Sequence, residues 1–127
     1  MIEYVSRSIF VTFEKIGYHL YPAAATDETL KDVAYLGAKH RHKFFFKVEM
    51  PVEHDNRDLE FHQVLNRCLS YYDKYQLQLD HFSCEMMAEA LIDMLNNDYE
   101  VPWIEVTVSE DNECGARIRK TKHIGNS

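Results

Sequence analysis

The sequence predicts an α+β protein in which a four-stranded antiparallel sheet carries two helices on one of its faces. Four segments alternate apolar and polar residues with the period of two that a half-buried strand requires. Two further segments place apolar residues three and four positions apart, as amphipathic helices do. The elements follow one another in the order β-β-α-α-β-β, which places both helices against the same side of the sheet.

The first two strands are predicted from residues 3–13 and 40–52, which are rich in β-branched and aromatic side chains. The alternation in the second strand puts five side chains on one face, namely His40, His42, Phe44, Phe46 and Val48. The connection between the strands, residues 20–39, is long enough to suggest a functional loop. It has room for a short helix at residues 27–35.

The two helices are predicted after the polar run at residues 54–58 and after Ser83, whose hydroxyl suits an N-cap. Strands at residues 103–110 and 116–119 then form a hairpin around a polar turn. We expect one domain over residues 1–120 and a flexible C-terminal tail over residues 121–127.

The composition argues against several classes of function. The 127-residue chain carries a formal net charge of −7, which disfavours a nucleic-acid backbone as the main partner. No apolar run approaches the roughly 20 residues that a membrane helix needs. We expect no secretory signal, because the first residues show no basic region followed by an apolar stretch. The three cysteines form no CxxC pair, so no disulfide framework is indicated. We therefore expect a cytoplasmic protein.

Three histidines give the clearest chemical signal. His40 and His42 are two residues apart on one strand, so their imidazoles point to the same side at a Cα separation of ~7 Å. Such a pair is by itself more often an ordinary surface or core feature. His19 follows the first strand and meets the second if the two form a hairpin. Three imidazoles with an open position are the ligands of a catalytic zinc, so the third histidine favours a zinc site.

These motifs resemble those of the 6-pyruvoyl- and 6-carboxytetrahydropterin synthases, which belong to the tunnelling-fold superfamily. The segment HRHKF at residues 40–44 is similar to the family's His-Gly-His-x-Phe, and His19 matches the histidine of its first zinc motif. The segment VSEDN at residues 108–112 resembles Tyr-Glu-Thr-Asp-Asn, whose glutamate anchors the pterin ring. The order of elements is also that of the family.

The resemblance implies a role for each matching residue. His19, His40 and His42 would bind zinc, while Glu110 would accept hydrogen bonds from the ring of a dihydroneopterin triphosphate-type substrate. Residues 79–81 read Leu-Asp-His and resemble the family's proton-relay motif, which makes Asp80 and His81 the candidate catalytic residues. In the family a longer segment separates this motif from the second helix, so a chance match is the alternative.

Leu36 departs from the family pattern, because many members carry a catalytic cysteine four residues before the His-x-His pair. Two functions therefore stay open: a zinc-dependent synthase or lyase, and a catalytically silent protein that binds a pterin or purine nucleotide. A third is a structural protein in which zinc only ties two strands together. The resemblance also implies a homo-oligomer, commonly a hexamer.

Overall fold

The computed structural model describes residues 1–123 and contains one mixed sheet with two α-helices on one face. The strands are β1 (Ser8–His19), β2 (His40–Pro51), β3 (Gln76–Asp80), β4 (Trp103–Glu110) and β5 (Cys114–Thr121). The α-helices are α1 (Phe61–Tyr71) and α2 (Cys84–Asp98), and two 3₁₀-helices, Pro22–Ala25 and Glu28–Gly37, occupy the β1–β2 connection. The strand order is β3-β1-β2-β4-β5.

The prediction of an α+β fold is confirmed, but the prediction of four antiparallel strands is wrong because the sheet has five and is mixed. The additional strand is β3, which pairs parallel to β1 at one edge. Its five residues contain only two apolar side chains, Leu77 and Leu79, which is too short an alternation to separate from a loop. Both leucines are buried.

The bounds of β1 also differ from the prediction. The strand begins at Ser8 rather than at residue 3, because its partner β2 ends at Pro51, which lies opposite Ser8. At its other end β1 continues to His19, which pairs with His40. His19 is therefore the last residue of the strand and not the first residue after it. This correction matters because a paired strand fixes the direction of the side chain.

The remaining elements lie close to their predicted positions. The Ser83 hydroxyl accepts a hydrogen bond from the Met86 N–H at 3.1 Å, so Ser83 is the N-cap of α2. The segment predicted as a short helix is 3₁₀-helical over Glu28–Gly37. Strand β5 extends to Thr121, and the rest of the predicted tail includes residues 124–127, which lie outside the described residues. Within residues 1–123, no helix reaches the length and apolarity of a membrane span.

The core lies between the sheet and the two helices. Alternate residues of β2 supply its centre, with Phe44, Phe46, Val48 and Met50 all buried. The same face continues to His42 and His40 at the start of the strand, where the side chains are half-buried. The alternation that buries the core therefore also turns the two histidines toward the helix side of the sheet.

Candidate metal centre

The pairing of β1 with β2 brings the three histidines to one corner of the sheet. His19 lies opposite His40, and Gly17 lies opposite His42. A Cβ atom on Gly17 would come within 2.9 Å of the Phe44 and Leu79 side chains. The absence of a side chain at Gly17 therefore lets the Phe44 ring pack against β1, directly beneath the imidazoles.

The imidazoles form a tight group. One nitrogen from each of His19, His40 and His42 lies within 4.8 Å of the other two. The ring centroids are 4.6 Å apart for His19 and His40, 4.9 Å for His40 and His42, and 5.4 Å for His19 and His42. His19 is buried, with 7% of its surface exposed. The structure thus brings together all three histidines that the sequence singled out.

Each histidine is oriented through its Nδ1 atom by an oxygen that only accepts hydrogen bonds. The Nδ1–H groups donate to Phe82 O at 2.9 Å for His19, to Ala38 O at 2.8 Å for His40, and to Asp111 Oδ2 at 2.6 Å for His42. With the proton on Nδ1, each Nε2 atom presents its lone pair. The Nε2 of His42 is buried and has no hydrogen-bond partner within residues 1–123. This donor set fits a divalent transition metal, whose histidine ligands are held in this way.

Asp111 is held in place by the turn between β4 and β5. Its backbone and that of Asn112 are left-handed, with φ values of 54° and 60°, which Asp and Asn tolerate better than most residues. The carboxylate accepts a hydrogen bond from the Lys43 N–H at 2.9 Å as well as the one from His42. These two hydrogen bonds, the Lys43 bond first, lower the pKa of Asp111, so the carboxylate is ionised at neutral pH.

Glu110 lies at the end of β4 on the core face and points toward the same corner. Its Oε1 is 3.2 Å from His19 Nε2, and its Oε2 is 3.4 Å from His42 Nε2. The side chain is 30% exposed. The residue that the motif comparison suggested as a substrate anchor therefore contacts two of the three histidines.

Asp80 and His81 lie at the end of β3, and Asp80 pairs with His19. His81 Nδ1 is 3.2 Å from Asp80 Oδ2, which is the contact that a proton relay needs. Both side chains are exposed, at 56% for His81 and 78% for Asp80. The pair is thus formed and lies next to the histidine corner, but the surrounding protein restrains it less.

A cleft of about 530 Å³ opens beside the histidines, with His19, His40, His81 and Glu110 in its wall. Leu36 also lines it. The only charged residues other than histidine among the lining residues of the described chain are Glu85 and Glu110, so the cleft carries no lysine or arginine. The described side chains that line the cleft are therefore apolar, neutral polar, acidic or histidine.

Two cysteines that are 30 positions apart in the sequence also line the cleft, Cys84 from α2 and Cys114 from β5. Burial raises the pKa of Cys84 to about 12, and the nearby Glu110 and Glu85 carboxylates act in the same direction. Cys84 is therefore a protonated thiol at neutral pH. Cys114 is exposed. Their convergence depends on tertiary packing, which no spacing in the sequence reveals.

No protein-family model and no curated protein sequence matches this chain. Solved structures do match it in fold. The 6-pyruvoyl tetrahydropterin synthase of Plasmodium vivax has a TM-score of 0.66 and 12% identity, over 93% of this chain and 99% of that one. The Caenorhabditis elegans enzyme has a TM-score of 0.67 and 14% identity, over 97% of this chain and 100% of that one.

A third match is dihydroneopterin aldolase of Escherichia coli, solved in complex with neopterin. Its TM-score is 0.51 at 17% identity, over 88% of this chain and 98% of that one. At these identities the matches define the fold alone. They show that this chain shares the fold of the 6-pyruvoyl tetrahydropterin synthases.

Proposed function

We propose that this protein is a zinc-dependent enzyme, similar to the 6-pyruvoyl- and 6-carboxytetrahydropterin synthases, that acts on a dihydroneopterin triphosphate-type substrate. The convergence of His19, His40 and His42, with every Nδ1 atom already engaged, carries this proposal. It leaves three Nε2 lone pairs for one metal ion beside a cleft, and imidazole is a preferred zinc ligand. Two structural neighbours are 6-pyruvoyl tetrahydropterin synthases and a third was solved with neopterin, which supports a pterin as the ligand.

A bound zinc ion supplies Lewis-acid polarisation of a substrate oxygen. The chain's own residues then have two tasks. Glu110 presents a half-buried carboxylate in the cleft, where it can accept hydrogen bonds from the amino and ring N–H groups of a pterin. His81 acts as general base through Nε2, while the Asp80 carboxylate holds its Nδ1–H and stabilises the imidazolium that forms.

A second candidate function is supported by the composition of the cleft. Leu36 lines the cleft, whereas many members of the family that this sequence resembles carry a catalytic cysteine at the matching position. Cys84, which also lines the cleft, is buried and protonated. No lysine or arginine among the described lining residues is available to a triphosphate. These observations favour a protein that binds a pterin or purine ring without eliminating triphosphate.

We further propose that the protein is a homo-oligomer, and a hexamer by resemblance to the family. The sheet ends in two edge strands, β3 and β5, whose unpaired backbone groups are suited to pairing with other copies. In an oligomer, a lysine or arginine of a neighbouring copy could reach the cleft, whose described lining has neither. Sedimentation equilibrium measures the mass directly, and a monomer at micromolar concentration would contradict this proposal.

Turnover of dihydroneopterin triphosphate tests the main proposal. We expect the zinc-loaded protein to release triphosphate, and we expect the His40→Ala variant to lose both zinc and turnover. Tight binding of neopterin without triphosphate release would support the second candidate and overturn the first. Stoichiometric zinc that survives His40→Ala unchanged would overturn the three-histidine site.

A further inference from the structure

Glu110 has contacts that a substrate anchor does not require. We propose that Glu110 is the fourth ligand of the metal held by His19, His40 and His42 in the substrate-free protein. This inference rests on the proposed metal site but not on catalysis. It changes the expected resting state from an open three-histidine site to a four-coordinate site with a carboxylate ligand.

The Nδ1–H donors of His19 and His42 are not available to Glu110. His19 and His42 each donate their Nδ1–H to another oxygen, Phe82 O at 2.9 Å and Asp111 Oδ2 at 2.6 Å. In a neutral imidazole the Nε2 atom is then an acceptor and cannot donate to Glu110. If both rings are neutral, two carboxylate oxygens thus face two lone pairs, and a metal ion between them converts this repulsion into attraction.

A second argument is distance. Zinc–nitrogen and zinc–oxygen bonds of about 2.0–2.2 Å place neighbouring ligand atoms of a tetrahedron about 3.3–3.5 Å apart. The two Glu110 oxygens lie 3.2 Å from His19 Nε2 and 3.4 Å from His42 Nε2. Each separation is close to that of neighbouring ligands, but Oε1 lies beside His19 and Oε2 beside His42, so binding of one ion through a single oxygen requires the carboxylate to turn toward all three histidines. His40 completes the histidine group, whose nitrogens lie within 4.8 Å of one another.

The pairing of β4 with β2 determines which side chains Glu110 can reach. Its Cα is paired with that of Phe44 in β2, two residues from His42 on the same face. Glu85, the other carboxylate of the cleft, lies in the first turn of α2 and forms no ion pair with a histidine among the described residues. Of the two described carboxylates that line the cleft, Glu110 is therefore the one that lies against these imidazoles.

The two roles of Glu110 exclude each other at any one moment. A carboxylate that accepts two hydrogen bonds from a pterin ring cannot also keep both oxygens against His19 and His42. Binding of the ring would then release the carboxylate from the metal and open one coordination position. The two binding events would be coupled, so each would change the affinity of the other by the same factor.

Metal binding without any substrate tests the inference. We expect Glu110→Gln to weaken zinc affinity by at least about 10–100-fold, the range already seen when an outer-shell partner of a metal ligand is lost. Glu85→Gln is the matched control and should bind zinc like the unmodified protein. Glu110→Asp keeps the charge but shortens the reach, so a direct ligand loses affinity in this variant whereas a distant charge does not.

Cobalt substitution gives a second readout that does not depend on stability. We expect the same visible Co²⁺ spectrum in the unmodified protein and in Glu85→Gln, and a shifted spectrum in Glu110→Gln, where water replaces the carboxylate as the fourth ligand. Addition of neopterin to the unmodified protein should also shift the spectrum, because it displaces the same carboxylate. Equal zinc affinity and identical cobalt spectra in Glu110→Gln would overturn the inference. Failure to turn over dihydroneopterin triphosphate would leave these results unchanged and would count against the proposed enzyme alone.

Discussion

Two groups of histidines border the same cleft, and the chain holds them in different ways. His19, His40 and His42 belong to the paired strands β1 and β2, and acceptors 2.6–2.9 Å away hold their Nδ1 atoms. His81 lies one residue beyond β3, is 56% exposed, and contacts the still more exposed Asp80 at 3.2 Å. Strands with oriented rings suit a metal, whereas an exposed ring on a turn suits proton exchange with solvent.

The two groups are also physically connected. The turn that carries His81 continues to Phe82, whose carbonyl accepts the hydrogen bond from His19 Nδ1. A change in this turn can therefore reach the metal corner through one backbone oxygen. Variants that alter one group at a time show whether the two groups act separately. Zinc content and turnover are measured in each variant.

The largest difference is expected from alanine variants that remove one histidine from each group. Zinc at 100 times its dissociation constant should stabilise the unmodified protein by about 2.7 kcal/mol. His42→Ala removes a metal ligand and should lose most of this stabilisation, while His81→Ala should keep it. Thermal unfolding with and without zinc measures the effect. An equal loss in both variants would show that the Phe82 carbonyl, and not the ligand set, controls the metal corner.

Turnover should depend on His81 in a way that zinc binding does not. If His81 moves the proton, His81→Gln should lower kcat for triphosphate release by about 10²–10⁴-fold without altering zinc content. Asp80→Asn should give a smaller decrease, because the exposed carboxylate assists His81 but does not itself take the proton. Steady-state kinetics with zinc analysis on the same samples gives both numbers. Unchanged kcat in His81→Gln would show that the Leu-Asp-His match is a coincidence of sequence.

The sequence was most informative where burial imposes a pattern. The alternation of β2 is visible because one face is fully buried, and this same alternation aligned His40 with His42. Strand β3 was not predicted, because five residues are too few to show an alternation and its partner β1 lies more than 50 positions away in the sequence. The helix start at Ser83 was visible because a cap has its own local chemistry.

Some parts of the site could likewise be predicted from the sequence, and others could not. The ligands are side chains at strand spacing, and their approximate arrangement follows from the sequence. The Phe82 and Ala38 oxygens that orient His19 and His40 are backbone carbonyls, which every residue possesses, so no residue type announces them. The approach of Glu110 to His19 depends on the register of three strands and could not be predicted from any one of them.

The smallest expected effect concerns Asp111, the one side chain among the three acceptors. Asp111→Asn keeps the shape of the turn but replaces an anionic acceptor by a neutral one, so the His42 imidazole becomes a weaker ligand. Zinc affinity should fall by about 10–100-fold in Asp111→Asn. Asp80→Asn should leave it unchanged, because the Asp80 carboxylate contacts His81 and not a proposed metal ligand. Competition with a chelator measures both. Because His19 and His40 rely on backbone carbonyls, no side-chain substitution removes their acceptors, and Asp111 is the point where the fixed group can be loosened without removing a ligand.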